Sequence, residues 1–556
     1  MKRKPTIWSK YLINGTVYPE FPECSVYEFL EKQTKNSLDR VAIEFEGRKT
    51  TYGEFIDLID KVSNSLIANG IGKGDIVSII SPNLPQAIAT VYAVNKVGAV
   101  ANMLHPLLPP AELKQHVEKT ESKMVFILDQ FYGKIGHVEW SIPAPIVVLF
   151  APADALGFPK KLFVKRVRPK VQAGTVLLWK DFLNKRVENP VYEKGDPESV
   201  AFILYSGGTT GEQKGVCLTN WNIVTHTVQG HEIGECIPYT RTLAVMPIFH
   251  GFGLCSSINS MLTCSSHLFL LASYDPVKCN KLIFKKRIET IFAIPAIYDA
   301  LIRSDEMRTK DYSFLKYMFC GGDKLKPQTE RVFREYMEKI GSDSRIMGGY
   351  GLTECVAGCI SNALFVTKEG TAGMAFPDTE IKIVTPGTEE ELPAGSVGEL
   401  CVCSPSVMKG YYKNEKATAE ALRKHADGKT WLHTGDAFSV DEEGFYTFHS
   451  RLSRMLVVNG YNVYPESVEN ALMQIDGVTK ACSVGLPGLL GGDRVAAAVC
   501  LDDEHREMST EEIKDKLRDL LPGYAMPYKI VVMERLPATK VGKVDFMKVA
   551  EMIGEA

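Results

Sequence analysis

Residues Ser206-Gly207-Gly208-Thr209-Thr210-Gly211-Glu212-Gln213-Lys214-Gly215 gather four glycines, three hydroxyls and one lysine in a single loop. Glycines let main-chain N–H groups approach a ligand closely. The hydroxyls and the lysine add donors and positive charge, which is the chemistry a polyphosphate requires. The P-loop pattern GxxxxGK[ST] is not met, because Lys214 does not follow a glycine. On composition alone, a flexible Gly/Thr surface hairpin is the competing reading. Other chemically able residues are ambiguous one by one. Glu354 fits a surface ion pair, Asp436 after a glycine fits a turn, Lys543 fits a solvated lysine, and His250 between Phe249 and Phe252 fits a packed core histidine.

The elements that must position these residues are legible. Val200–Tyr205 and Val216–Leu218 are apolar runs of strand length, so the glycine-rich loop is predicted to cradle phosphates between two strands, not at a helix N-terminus. Ile76–Ile80, Met124–Leu128, Pro145–Leu149, Thr242–Met246, His267–Leu271 and Tyr317–Cys320 read as buried strands. Helix-length segments such as Gln86–Lys96, Ala111–Thr120 and Gln328–Lys339 lie between several of them. That alternation predicts an α/β fold with largely parallel sheets. From about residue 373 to 450, prolines and glycines punctuate short strands such as Ile381–Val384 and Val397–Cys403, which predicts a small β-rich, barrel-like subdomain. After residue 453 the pattern is α+β: strands Met455–Val458, Val495–Cys500 and Ile530–Met533, with helices Ser467–Gln474 and Glu511–Leu520. The expected division is a large domain over residues 1–452 and a small, mobile C-terminal domain over residues 453–556.

Composition bounds the rest. The chain has 556 residues, and 64 Lys and Arg stand against 67 Asp and Glu, a net charge of −3. That balance argues against nucleic-acid binding as the main task. No run approaches the ~18 apolar residues of a membrane helix. Neither a secretory signal nor a C-terminal targeting tripeptide is expected. Thirteen cysteines, with no CxxC pair, argue against a disulfide framework or a zinc site. Free thiols in a reducing cytoplasm are expected instead.

Tyr205 to Val216 resembles the phosphate-binding signature of the adenylate-forming, AMP-binding superfamily, which includes acyl-CoA synthetases, peptide-synthetase adenylation domains and firefly-type luciferases. Further segments resemble that family's motifs in its order. Met246–Leu254, with Phe249-His250-Gly251, resembles the segment beside the acyl site. Cys320-Gly321-Gly322-Asp323 looks like the adenine-contacting turn. Gly348-Gly349-Tyr350-Gly351-Leu352-Thr353-Glu354 is similar to the Tyr-Gly-x-Thr-Glu signature. Trp431–Asp436 matches the ribose-binding aspartate motif. Ser450-Arg451-Leu452 and Asn459–Pro465 flank the family's hinge segment, and Leu536–Lys543 resembles the catalytic-lysine motif. The resemblance runs from about residue 28 to 548.

The resemblance implies ATP, Mg²⁺ and coenzyme A as participants, and it implies residue roles. Ser206, Gly207, Gly208, Thr209, Thr210, Gly211 and Lys214 would hold the β- and γ-phosphates. Glu354, with Thr209 beside it, would bind Mg²⁺, an ion that takes few carboxylates together with phosphate oxygens and water. Thr353 would contact the α-phosphate. Tyr350, with Gly322 and Asp323, would receive adenine, and Asp436 and Arg451 the ribose. Lys543 would bridge carboxylate and α-phosphate. His250, Gly321, Gly348 and Gly349 would line the acyl pocket, Ser453 would be the hinge, and Gly460 and Tyr461 would flank coenzyme A.

The sequence departs from the family slightly at the Gly322-Asp323 turn, where Gly-Ala or Gly-Glu is commoner, and at two further positions. Serine stands at 453, where aspartate or lysine is common, and valine at 457, where lysine is frequent. The latter counts against a luciferase-like oxidative step. Amino-acid-activating members carry an aspartate where Phe249-His250 stands, so a plain fatty or aryl carboxylic acid is expected. Leu490–Arg494 resembles the start of a carrier-protein site but lacks its serine, so no built-in carrier is expected. Three functions stay open: an acid:CoA ligase, an acyl-AMP ligase serving a separate acyl carrier protein, and an inactive nucleotide-binding homologue.

Overall fold

The computed structural model describes residues 19–157, 176–206, 213–235, 237–364, 366–458, 461–487, 493–538 and 544–555. Two compact units emerge. One comprises residues up to Glu380 together with Val402–Leu432, and the other Ile381–Cys401 together with residues from His433 on. The second unit thus gathers residues 381–401 and 433–452, which the texture of the sequence grouped with the large domain.

The first unit carries two large sheets. One runs, edge to edge, Met374–Ala375, Gly358–Ser361, Ile346–Gly351, Tyr317–Cys320, Thr290–Ala293, Arg241–Ala244, His267–Leu270, Val41–Phe45 and Arg48–Thr51. From Ile346–Gly351 through to Val41–Phe45 its pairings are parallel. The other runs Gly410–Tyr411, Lys214–Thr219, Val200–Ser206, Val100–Leu104, Ile76–Ile80, Met124–Leu128, Ile146–Phe150 and Val176–Leu178. It is parallel from Val200–Ser206 onward, but Lys214–Thr219 and Gly410–Tyr411 add antiparallel at one edge. Parallel strands are covered on both faces, so they read as unbroken apolar runs. Met124–Leu128 is buried along its whole length.

Helix starts follow local chemistry. Ser25, Thr51 and Thr219 each accept from the N3 amide and form capping boxes with Glu28, Glu54 and Asn222. The greasy stretch after Gly251 was not assigned an element from its pattern. It forms a wide-turned π-helix over Phe252–Ser260, then Met261–Thr263, before the strand His267–Leu270. π-Helical turns are uncommon and cluster at functional sites.

In the second unit, Asp493–Leu501 is the centre of a three-stranded sheet, antiparallel to Val478–Pro487 and parallel to Lys529–Val532. Strand alternation splits its two faces. Val495, Ala497 and Val499 pack with Val468 and Leu472 of the helix Pro465–Leu472 and with Ile513 and Leu517 of the helix Thr510–Leu517. Ala496, Ala498 and Cys500 pack with Val549 and Ile553 of the helix Phe546–Glu555. The α+β class and the elements around Val495–Cys500, Ile530–Met533, Ser467–Gln474 and Glu511–Leu520 agree with the sequence, whereas the strand Val478–Pro487 and the helix Phe546–Glu555 are additions of the structure. Of the carrier-like string Leu490–Arg494, residues 490–492 lie outside the described residues, and Asp493 and Arg494 open the central strand.

Arg454 ties this unit together. Its guanidinium donates to Glu469 Oε1 at 2.5 Å and to the Ser483 carbonyl at 3.0 Å. It reaches Glu466 Oε1 at 3.5 Å and lies 5.1 Å from the Phe546 ring centroid. The arginine side chain is only 15% exposed, so removing it strands two half-buried carboxylates. Arg454→Ala is therefore expected to lower the opening free energy of this unit by about 3 kcal/mol. Hydrogen exchange at the Val495–Val499 amides measures it, and unchanged protection would contradict this role.

Candidate active site

The hairpin of Val200–Ser206 and Lys214–Thr219 closes on the register pair Ser206–Lys214. The predicted strand–loop–strand arrangement therefore holds at both ends of the loop. Gly207, Gly208, Thr209, Thr210 and Gly211 lie outside the described residues. Lys214 is half-buried, with its ammonium 4.9 Å from the centroid of the Tyr411 ring.

The neighbouring feature is the turn after the strand Ile346–Gly351. Thr353–Cys355 makes one 3₁₀ turn and Val356 follows at φ 67°, ψ −60°. The chain then returns antiparallel as Gly358–Ser361. A positive φ is strained for a β-branched residue and persists only where packing enforces it. Here the packing is backbone against backbone. A Cβ on Gly251 would lie 1.8 Å from the Val356 carbonyl oxygen, and one on Gly351 would lie 1.7 Å from that of Ala357. Glycine at these two positions lets the turn close, and Gly251 couples the His250 motif directly to the Glu354 turn.

Glu354 is thereby held with 9% of its surface exposed. Its Oε1 accepts from the Tyr411 hydroxyl at 2.8 Å, and its carbonyl accepts from the Met408 N–H at 2.8 Å. Burial, with the Glu354 charge and hydrogen bond, pushes the Tyr411 hydroxyl well above the ordinary phenol range, so it acts as a donor. One oriented carboxylate suits Mg²⁺, which completes its octahedron with phosphate oxygens and water. Among the described residues no three His, Cys, Asp or Glu side chains form a ready-made cage.

The acyl-side residues are brought together in part. Gly348 pairs in register with Cys320, beside Gly321. A Cβ on Gly348 would meet nothing closer than 3.9 Å, whereas one on Gly349 would lie 3.1 Å from the Ile360 carbonyl oxygen. One on Gly321 would touch the Phe252 ring at 3.5 Å. His250 is exposed, not packed in a core, and its ring lies 5.0 Å from that of Phe249. The ring of His105, which the sequence reading did not select, lies 4.3 Å from that of Phe249, centroid to centroid. Gly322 adopts φ 76°, and Asp323 is exposed, its carboxylate accepting from the Lys324 N–H at 2.8 Å. Tyr350 and Thr353 are half-buried.

In the second unit, Asp436 and Arg451 face each other across the strands Thr430–Val440 and Tyr446–Arg451. Asp436 Oδ1 lies 2.9 Å from Arg451 Nε, with the aspartate fully buried and the arginine 46% exposed. Glu399, which the sequence reading missed, holds the turn before Asp436. It accepts from the Gly435 and Gly387 amides at 3.2 and 2.9 Å and lies 3.2 Å from His433 Nδ1. Burial raises its pKa, but these hydrogen bonds outweigh burial and hold it below the usual carboxylate value. It pins the Gly435 turn, at φ 69°, that presents Asp436. Ser453 is exposed in the 3₁₀ turn Leu452–Arg454. Gly460 and Lys543 lie outside the described residues, and Tyr461 opens the short strand Tyr461–Val463.

A second missed residue supports the Glu354 turn. His226, fully buried, accepts from the Gly358 N–H at Nε2, 3.1 Å away. Burial lowers its pKa from 6.5 to about 4, so it stays neutral. Between those values the unfolded chain binds a proton that the folded chain refuses. His226 therefore costs stability as pH falls from about 6.5 to 4, by about 3 kcal/mol in all. Urea denaturation at pH 7 and pH 4.5 is expected to show a steeper loss for the native chain than for His226→Gln. Parallel losses would contradict this assignment.

Comparison with known proteins gives this geometry its context. The AMP-binding enzyme family matches residues 30–412, and the AMP-binding enzyme C-terminal domain matches residues 467–543. A long-chain-fatty-acid–CoA ligase of Bacillus subtilis is 30% identical over 94% of this chain and 93% of its own length. A feruloyl-CoA synthase of an Amycolatopsis species is 28% identical over 92% and 96%. Among solved structures, ATP-bound MatB from Rhodopseudomonas palustris superposes with a TM-score of 0.82 at 24% identity, over 95% of this chain and 98% of that one, which shows the shared fold. The family match spans both the phosphate-loop hairpin and the Glu354 turn, and the relatives align over nearly the whole chain: this protein belongs to the AMP-binding enzyme family.

Proposed function

We propose that this protein is an ATP-dependent carboxylic acid:CoA ligase acting on a fatty or aryl acid. The observation that carries this reading is the Glu354 turn, a carboxylate fixed by backbone packing next to a hairpin that ends in Lys214. The names of relatives, a long-chain-fatty-acid–CoA ligase and a feruloyl-CoA synthase, support the substrate class. At Gly348 an added Cβ would make only ordinary contacts, at 3.9 Å to Asn362 Nδ2 and the Thr371 carbonyl oxygen, and the missing side chain there supports a bulky acyl group.

In the first half-reaction a carboxylate oxygen attacks the α-phosphorus of ATP and pyrophosphate leaves. Two anions must approach, so catalysis rests on positioned positive charge and oriented donors. Lys214, Ser206 and residues 207–211 hold the β- and γ-phosphates, and Thr353 donates to the α-phosphate. Mg²⁺, held by Glu354 and Thr209, would neutralise phosphate charge when bound. Tyr350, Gly322 and Asp323 receive the adenine. Asp436 and Arg451 bind the ribose hydroxyls, for which two carboxylate oxygens are suited. Lys543 bridges the carboxylate and the α-phosphate. In the second half-reaction a thiol gives up its proton and its sulfur attacks the acyl carbon, releasing AMP. Residues 453–556 rotate about Ser453 between the two steps, and Gly460 and Tyr461 flank the pantetheine arm. Cysteines among the described residues are free thiols, mostly buried, which supports a reducing, cytoplasmic setting.

A panel of fatty and aryl acids, followed by pyrophosphate release and by mass spectrometry of the thioester, tests the reading. Pyrophosphate and acyl-CoA are expected with at least one acid. Pyrophosphate without acyl-CoA would point to a carrier-protein acceptor, and no pyrophosphate with any acid would contradict catalysis. Lys543→Ala is expected to cut adenylation about 10²–10³-fold while leaving thioester formation from supplied acyl-AMP within a few-fold. Gly348→Leu is expected to fold normally and to lose the bulkiest acids first.

A further inference from the structure

Tyr411 touches both charged groups of the first unit's candidate site, and no motif of the sequence reading includes it. Its hydroxyl donates to Glu354 Oε1 at 2.8 Å, and the Lys214 ammonium lies 4.9 Å from its ring centroid. We propose that Tyr411 is the positioning residue that sets the Glu354 carboxylate and the Lys214 ammonium in register for a metal–triphosphate ligand. This inference rests on the ATP-dependent reading above and adds a residue to it.

The backbone around Tyr411 is seated on both halves of the site. Met408 N–H donates to the Glu354 carbonyl, Lys409 N–H to the Cys217 carbonyl at 3.0 Å, and Tyr412 N–H to the Gly215 carbonyl at 2.7 Å. Tyr411 itself stands opposite Val216, and its N–H donates to Thr418 Oγ1 at 2.9 Å. The approach at Gly410 requires glycine: it adopts φ 151°, and a Cβ there would lie 2.8 Å from Thr418 Cγ2. Residues 408–412 thus form a clamp with the Glu354 turn on one side and the strand leaving the phosphate loop on the other.

The chemistry explains why a tyrosine serves there. A hydroxyl that claims one carboxylate oxygen fixes the plane of the carboxylate and leaves the second oxygen for a hard cation. The ring face attracts the ammonium without neutralising it. With neither hydroxyl nor ring in place, glutamate and lysine would be free to pair with each other, and that pair would compete with both metal and phosphate. Loss of the hydroxyl also removes a donor that competes with the cation for the carboxylate, which alone would favour the cation. A hydrogen bond to a charged group is the larger effect, and its loss corresponds to about a tenfold change or more.

The test measures ATP binding by the full-length protein across a Mg²⁺ titration and, separately, in EDTA. For Tyr411→Phe, the Mg²⁺ concentration at half-maximal enhancement is expected to rise about tenfold. Affinity in EDTA is expected to stay within about twofold, because the ring beside Lys214 remains. Thr418→Val, which unseats the Tyr411 N–H, is expected to shift the Mg²⁺ dependence the same way by a smaller factor, and it serves if the phenylalanine variant does not fold. Mg²⁺ titrations of the folded variants that overlay the native curve would overturn the proposal. So would an equal loss with and without Mg²⁺, which marks a merely structural tyrosine. Pyrophosphate release is scored separately. A Mg²⁺ shift in a protein that activates no acid would leave the role of Tyr411 standing and sink the ligase reading instead.

Discussion

The carbonyl oxygens of Val356 and Ala357 occupy the space that any side chain at Gly251 or Gly351 would need. This backbone contact forces the positive φ at Val356 and sets the direction in which Thr353 and Glu354 leave the sheet. The rest of the first unit's site is arranged around it. His226 takes up the Gly358 N–H beyond the turn, Met408 satisfies the Glu354 carbonyl, and Tyr411 holds the carboxylate. Each of these replaces a contact with water by a fixed protein donor or acceptor, so the carboxylate is oriented before any ligand arrives. Preorganisation of this kind is what makes electrostatic catalysis effective.

The second unit positions its polar residues with buried charge instead of close backbone packing. Glu399 is held ionised by amides of Gly387 and Gly435 and by His433, and so fixes the bend before Asp436. Arg454, one residue beyond Ser453, is locked to Glu469, Glu466 and Ser483. The hinge proposed at Ser453 would adjoin this anchor, which would confine rotation to the residues before Arg454. Among the described residues Ser453 has no such ties, and it is exposed.

Much of this was legible in the sequence, for identifiable reasons. Parallel strands buried on both faces leave apolar runs, so Ile76–Ile80 and Met124–Leu128 were found with their observed bounds. The motif glycines and the Thr353-Glu354 pair were singled out through chemistry and resemblance. The π-helix at Phe252–Ser260 was not found, because its wider turn breaks the helical period. His226, Glu399 and Tyr411 were missed because each acts through a partner distant in sequence: Gly358, Gly435 and Glu354. A lone histidine in a helix, or a Gly-Tyr pair between loops, carries no local mark of such a role. Gly251 and Gly351 were quoted within motifs, but their reason, a shared backbone turn, appears only in three dimensions.

The central claim is that the Glu354 turn is a preset cation position beside the phosphate-loop hairpin. The most direct measurement is a crystal structure of the full-length protein with a non-hydrolysable ATP analogue and Mn²⁺, the ion located by its anomalous scattering. The account predicts Mn²⁺ bound to a Glu354 carboxylate oxygen and to phosphate oxygens, with the Tyr411 hydroxyl still on the other carboxylate oxygen and Lys214 on the phosphates. An analogue bound with Mn²⁺ away from Glu354, or a Glu354 turn rearranged to reach it, would contradict the account.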